Sequence, residues 1–279
     1  MTSTKPVAVI TGATRGIGRN MAVYFAERGY TVVGTGRDKQ KLAELEERLQ
    51  ALSSGSKCYR LDVQDSESVH QTVKDIRSNI GKVHVWVNNA GSFAAIGPTW
   101  EVDPKQWEND VLTNLFGTFH CIQAVVPEMI EQGYGRIINV VGGGTISEFK
   151  YGNGYGTSKT AIARLTENLD AELLGTGVKA FAMDPGLNDT DMTKYQRETE
   201  AGQKYLPRIT QMFEDKRDVP SHWAPELAYH LAEGTLDPYH GRVLSVYEDA
   251  ATLVKKAEQL QDGDYYKLRL AKLDGTRRN

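Results

Sequence analysis

Cysteine is almost absent from this 279-residue chain, which has two, Cys58 and Cys121. Each stands alone in apolar surroundings. No disulfide framework and no thiolate metal cluster can be built from them, and both read as reduced packing residues. The six histidines, His70, His84, His120, His222, His230 and His240, show no ligand spacing with one another or with the cysteines, so no metal is expected. No uninterrupted apolar run approaches the ~20 residues of a membrane-spanning helix, and the opening "MTSTKP" carries no apolar signal segment. Charge of one sign is lacking too: 33 Lys and Arg stand against 36 Asp and Glu, a net -3. Nothing in that balance calls for a polyanionic partner, and the terminal "TRRN" reads as a solvated tail. The expectation is a soluble cytoplasmic protein with no nucleic-acid partner and no membrane partner.

What is present has the profile of an ordinary globular domain, 40% apolar and 25% charged. At this length one generous α/β domain is expected rather than two. β-Branched runs recur at 7–11, 31–36, 58–63, 83–87, 136–141, 178–184 and 242–247. Most are apolar on both faces, the pattern of parallel strands covered by helices on each side. Between the second and third, Leu42, Leu45, Leu49 and Leu52 fall at helical spacing behind Asp38 as N-cap. Such repetition predicts a single-domain, Rossmann-type doubly wound parallel β-sheet of about seven strands with helices on both faces. We assign residues 1–248 to this domain, with a polar substrate-loop region at about 187–222 as a candidate lid, and 249–279 to a C-terminal extension. In the extension "DYYKLRL" (264–270) alternates apolar and polar residues, an arm for a subunit surface or the rim of the substrate opening. Trp100 and Trp107 are expected to pack around the loop and helix before Asn114. Tyr151, Tyr195, Tyr205, Phe213 and Trp223 either clasp an apolar or cyclic substrate or pack the lid onto the body.

The stretch "VAVITGATRGIGRN" sets Gly12, Thr14, Arg15, Gly16, Ile17 and Gly18 between the first strand and a helix starting near Ile17. Glycines there let the backbone approach a pyrophosphate, and the helix N-terminus offers unpaired N–H groups and a positive dipole end. Such a turn directly after the first strand of a βα series is a fairly specific sign of dinucleotide binding. The second strand ends "GTGRD", with Gly36 where an NAD enzyme usually carries an acid. Arg37 follows, and Arg15 lies in the turn. Two guanidinium groups suit a 2′-phosphate, so NADP(H) is favoured over NAD(H), with Asp38 accounted for by helix capping.

The motifs "TGATRGIG" (11–18), "LDV" (61–63), "NNAG" (88–91), Asn114 in "LTNLFGTF", "YGTSK" (155–159) and "DPGLNDT" (184–190) occur in this order. On them the chain resembles the short-chain dehydrogenase/reductase family from Val7 to about Glu248. The resemblance implies that Asp62 and Val63 flank an adenine, that Asn89, Ala90 and Gly91 line the cofactor cleft, and that Pro185, Gly186 and Thr190 help seat a nicotinamide. It implies Tyr155 as proton donor, Lys159 as the group that holds the ribose and depresses the phenol's pKa, and Asn114 as anchor of a relay water. A homodimer or homotetramer is implied as well. The residues agree with the acid/base part: a tyrosine titrates near ~10, and a cation four residues along a helix favours the phenolate.

One element of the family's pattern is missing. A serine normally lies thirteen residues before the tyrosine, and counting back from Tyr155 reaches Gly142, followed by Gly143 and Gly144. Loss of one such donor elsewhere costs on the order of 10²–10³ in rate. Thr145 or Ser147 could swing in, or the backbone N–H groups of the glycines or a water could donate. A reactive substrate, an iminium or an activated enone, would need less help. The third possibility is that redox turnover is gone. Gly142, Gly143, Thr145 and Tyr151 are therefore the candidate substrate wall. The favoured reading is an NADPH-dependent reductase of a ketone, imine or enone-like small molecule. Its rival is an NADP-binding protein without net redox turnover.

Overall fold

The computed structural model of the chain describes residues 5–260 and 263–271. Strands β1 (Val7–Ile10), β2 (Thr31–Gly36), β3 (Lys57–Arg60), β4 (Val83–Asn88), β5 (Gly135–Val140), β6 (Val178–Asp184) and β7 (Val243–Ser245) form one sheet. All neighbours are parallel, in the order β3-β2-β1-β4-β5-β6-β7. The expected seven-stranded doubly wound sheet is thus what the chain forms. Its order reverses between β1 and β4, the place where such sheets open a ligand crevice.

Strand alternation feeds two cores. Ala8 and Ile10 face one layer with Met21, Phe25, Leu45 and Leu227, while Val7 and Val9 face the other with Val73, Val125 and Leu169. The first layer holds α1 (Gly16–Glu27) and α2 (Lys39–Leu52), and the second α3 (Ser66–Asn79). Farther along, α4 (Pro104–Val111) runs through a π-helical turn, Leu112–Phe116, into α5 (Gly117–Gln132), and α6 (Asn153–Glu172) follows β5. Asp38 caps α2 by accepting from the Gln40 and Lys41 N–H groups. Leu42, Leu45 and Leu49 are buried, but Leu52 is 42% exposed. At that last residue of α2 the chain turns inward at buried Ser53 and leaves the leucine outside.

Residues 187–222 contain three short helices, α7 (Asp191–Glu198), α8 (Glu200–Tyr205) and α9 (Pro207–Glu214), with α10 (Trp223–Ala232) after them. Beyond Glu248, α11 (Ala250–Lys256) and the turn Ala257–Gln259 pack on the body, with Leu253 and Leu260 in the main core. The 264–270 segment lies along β7, the outermost strand. Val243 N–H donates to Tyr266 O (2.9 Å), and Arg242 Nη1 donates to the carbonyls of Gly263 (3.1 Å) and Tyr265 (2.6 Å). An edge strand with unpaired backbone groups is a template for unwanted pairing, and this arm covers it.

Trp107 donates from Nε1 to Asn153 Oδ1 (2.9 Å), tying α4 to α6. Trp100 departs from expectation. It is 83% exposed and bonds only its neighbour Glu101, because the turn before α4 points the indole outward. Both cysteines are free thiols, and burial pushes each up to about 12. Among the described residues no helix is long and apolar enough to cross a membrane.

Candidate active site

The β1–α1 turn enters the crevice with Gly12 at φ +65°, where a Cβ would stand 2.9 Å from Ala90 Cα. Asn89 locks the turn by donating from Nδ2 to Thr11 O (2.9 Å), while Thr11 Oγ1 accepts from the Asn89 and Ala90 N–H groups. Arg15 is the N-cap of α1 yet gives no side-chain cap, and no acid sits in the first turn. The orphan N–H groups at this helix end are left for an anion, as a pyrophosphate requires.

Thr14, Arg15, Gly16, Ile17 and Gly18 line one end of the cleft beside Gly12. Arg37, Asp62 and Val63 line the strand ends next to them, and Asn89, Ala90 and Gly91 the middle. Tyr155, Lys159 and Pro185 line the cleft beyond these, and Thr190 lies beside Gly16. Gly186 stands off the wall, packed against Val246 and Val219. The sequence reading missed Leu61, Val140, Val141, Thr113, Asp191 and Met192, which also line the cleft. Strand-end apolar residues look like core in a sequence, and Asp191 and Met192 carry no signal beyond following Thr190.

At the first end a Cβ on Gly36 would be 2.6 Å from Thr14 Cγ2, so any side chain there would have to displace Thr14. Arg37 Nη1 is 3.7 Å from Asp62 Oδ2, and Arg15 Nη1 is 2.8 Å from Asp191 Oδ2. Both arginine side chains are well exposed, 69% and 61%, so these pairs are weak and easily exchanged for another anion. Exposed guanidinium groups beside a carboxylate can hold either a phosphate or sugar hydroxyls.

At the other end Tyr155 and Lys159 share a face of α6, both buried. Lys159 Nζ donates to Val140 O (2.8 Å) and lies 5.5 Å from the centroid of the Tyr155 ring. Burial lowers Lys159 to about 8. Burial also raises Tyr155 above the ordinary tyrosine value, with the carboxylates of Asp184 and Asp110 adding to the rise. Burial thus works against the depression of the phenol expected from the lysine. Low-dielectric surroundings disfavour phenolate and ammonium alike, and the ammonium faces the ring and a carbonyl. Asn114, fully buried in the π-helical turn, accepts at Oδ1 from Ser92 N–H (2.8 Å). Its Nδ2 donates to Ser92 O and Ser158 Oγ, both at 2.9 Å. Both amide protons are used inside the protein, so the side chain clamps the loop after β4 and does not line the cleft.

The glycine run has its own geometry. A Cβ on Gly142 would stand 2.6 Å from the Tyr155 hydroxyl, and one on Gly144 (φ +87°) 2.6 Å from Gly156 Cα. Thr145 does not replace the absent serine. Its hydroxyl donates to Gly142 O (2.6 Å) and accepts from Gly142 N–H (3.2 Å), which also occupies that backbone donor. Ser147 is exposed, and Gly143 stands beside Phe149. Around the phenol the wall is aromatic: Phe93 stacks on Tyr155 (centroids 4.6 Å, 11° between planes) and Phe149 meets it edge-on at 6.2 Å. Ile96, Leu206, Tyr151, Met192 and Tyr205 complete this apolar cluster. Tyr151 holds φ 68°, its ring 5.0 Å from Tyr205. Tyr195 reaches across from α7 to Ala94 O (3.2 Å). Phe213 instead lies under Arg197 and Trp223 beside α11, both away from the cluster.

Residues 6–201 match the family model described as short chain dehydrogenase. The chain belongs to the short-chain dehydrogenase/reductase family. Similar to it is an uncharacterized oxidoreductase of Staphylococcus saprophyticus, 36% identical over 188 residues, 67% of this chain and 80% of that one. An actinorhodin polyketide ketoreductase variant solved with NADPH is similar at TM-score 0.79 and 27% identity, covering 88% of this chain and 97% of that one. Xylitol dehydrogenase bound to NAD+ is similar at TM-score 0.79 and 25% identity, over 88% of this chain and 98% of that one. As a short-chain dehydrogenase/reductase the protein is an oxidoreductase with a nicotinamide cofactor and a small-molecule substrate.

Proposed function

We propose that this oxidoreductase uses NADP(H) and reduces a ketone, imine or enone-like group of an apolar small molecule, with Tyr155 as proton donor. One observation carries the reading: a buried phenol with a buried ammonium 5.5 Å from its ring lines a long cleft and stands inside an aromatic wall. A reduced nicotinamide bound in the cleft would supply the hydride. Tyr155 Oη gives its proton to the substrate oxygen or nitrogen, so that a C=O becomes an alcohol and a C=N an amine. Lys159 Nζ holds the ribose beside it, and its positive charge offsets the negative charge left on the phenol oxygen. The N–H groups of the α1 turn hold the pyrophosphate, and Arg15 and Arg37 take the 2′-phosphate. Asp62 and Val63 flank the adenine, Asn89, Ala90 and Gly91 line the middle, and Pro185, Gly186 and Thr190 bound the nicotinamide end. Asn114 supports the proton path through the loop it clamps.

Gly142, Gly143, Thr145 and Tyr151 bound the substrate side, with the 187–222 helices as lid. No hydroxyl of the Gly142–Thr145 turn is free to donate, which favours a reactive substrate, an enone or an imine that takes its proton from Tyr155, or one served by a water. Residues 1–248 carry the catalytic fold and 249–279 an extension. A cytoplasmic homodimer or homotetramer belongs to the same proposal, with exposed Leu112, Phe116 and Phe119 offering an apolar face for association.

The test follows NADPH and NADH absorbance with a panel of apolar ketones, cyclic imines and enones. NADPH consumption that exceeds NADH consumption and vanishes in Tyr155→Phe, with NADPH affinity retained, is the expected result. Binding of NADPH without consumption across the panel would replace this reading with that of a cofactor-holding protein, and undiminished turnover in Tyr155→Phe would remove the tyrosine's role.

A further inference from the structure

Asp110 is fully buried in α4, and among the described residues no lysine, arginine or histidine pairs with it. A lone buried carboxylate is strongly destabilising unless hydrogen-bond donors surround it. Here the donors come from one loop. Oδ1 accepts from Ser92 Oγ (2.6 Å) and Ala94 N–H (2.8 Å), and Oδ2 from the N–H groups of Ala94 and Ala95, both at 3.0 Å. Four bonds from three donors on one carboxyl group make a strong set, and they fix three residues of the segment that follows β4.

That segment has no regular structure of its own, yet it carries Phe93, the ring stacked 4.6 Å from Tyr155. Phe93 is also wedged from behind: a Cβ on Gly152 would lie 2.6 Å from its Cζ. Side chains around Asp110 brace the same loop. Asn109 Nδ2 donates to Ser92 Oγ (3.0 Å), and Gln64 Nε2 donates to Asn109 Oδ1 (3.0 Å). Asn114 grips Ser92 from the other side at both backbone atoms.

We propose that Asp110 is a positioning residue for the reduction: by pinning Ser92–Ala95 it holds Phe93 in place, and Phe93 holds the Tyr155 ring at the angle from which its hydroxyl reaches the substrate. A displacement of about 1 Å at a reacting group can slow a reaction roughly 10²-fold. The carboxylate does this without touching substrate or cofactor.

The experiment has two arms, and only the second rests on the reductase reading. In the first, full-length protein carrying ring-13C tyrosine is examined by NMR, with the Tyr155 signal assigned by its loss in Tyr155→Phe. Asp110→Asn turns one acceptor into a donor aimed at backbone N–H groups. Ser92→Ala removes the hydroxyl that donates to Asp110 and accepts from Asn109, with no change of charge, and serves alone if the first variant does not fold. Both are expected to shift the Tyr155 signal as the Phe93 ring moves off it; a signal unmoved in both overturns the proposal. In the second arm, kcat for NADPH consumption with a turned-over member of the panel falls roughly tenfold or more, with the Kd for NADPH unchanged. Combined with Phe93→Leu the losses are expected not to add, because one pathway carries both effects. Additive losses overturn the proposal. A wild-type protein that turns over nothing defeats the reductase reading, and the Tyr155 signal still decides the positioning role.

Discussion

The Tyr155 hydroxyl stands where a side chain on residue 142 would begin, 2.6 Å from the position of a Cβ on Gly142. The ring cannot swing aside cheaply, since Phe93 stacks on one face and Phe149 meets it edge-on. The glycine is thus matched to the placement of the phenol, and the serine of the family's pattern would compete for its space. Gly142→Ser and Gly142→Ala are both expected to lower kcat by roughly tenfold or more through displacement of the phenol. Steady-state kinetics on simple and bulky substrates, alongside thermal unfolding, check this. A gain on simple ketones in the serine variant would show that the tyrosine yields.

Lys159 has a pH signature. Its folded value, about 8, lies below its ordinary 10.5. Below pH 8 the ammonium is charged in both folded and unfolded chains, and its burial destabilises the fold. As pH rises through 8 toward 10.5 the folded protein releases the proton first, the unfolded chain binds more protons, and stability rises. A shift of this size corresponds to about 3 kcal/mol. Urea unfolding of wild type and Lys159→Met at several pH values is expected to show wild type gaining on the variant across that window. A constant difference would mean that the amine is not desolvated.

Arg15 and Arg37 face the cleft through weak, exposed pairs with Asp191 and Asp62. Arg37→Asp is expected to weaken NADPH by about tenfold to hundredfold, the range of one or two lost charge-assisted bonds, and to leave NADH nearly unchanged. Fluorescence titration with both nucleotides measures it, and an unaltered ratio would remove the arginine from the phosphate site.

Arg242 is buried and holds the 263–271 arm on β7 through two carbonyls. Arg242→Ala is expected to free the arm and lower stability by about 1.5–3 kcal/mol. Limited proteolysis should then cut near Tyr265 and Tyr266, and the bared β7 edge should promote association visible in light scattering. Protease resistance equal to wild type would show that the arm is held by other contacts.

Local pattern made much of this protein legible. β-Branched runs marked all seven strands to within a few residues, and Asp38 announced the start of α2, because strand and helix periods and caps are set by neighbours in the chain. The glycine turn after β1 was legible for the same reason. Trp100 was misread because apolar character alone does not say which way a turn points a side chain.

Local pattern along the chain set the sheet, its helices, the order of the cleft-forming loops and the presence of Tyr155 and Lys159 on one helical face. Packing between distant segments decided that burial raises the phenol's pKa and that its hydroxyl takes the space beside Gly142. It likewise decided that a buried acid on α4 pins the loop carrying Phe93. Periodicity records which residues are adjacent along the chain, whereas desolvation and steric exclusion arise between segments that meet only once the sheet has closed its helices around them.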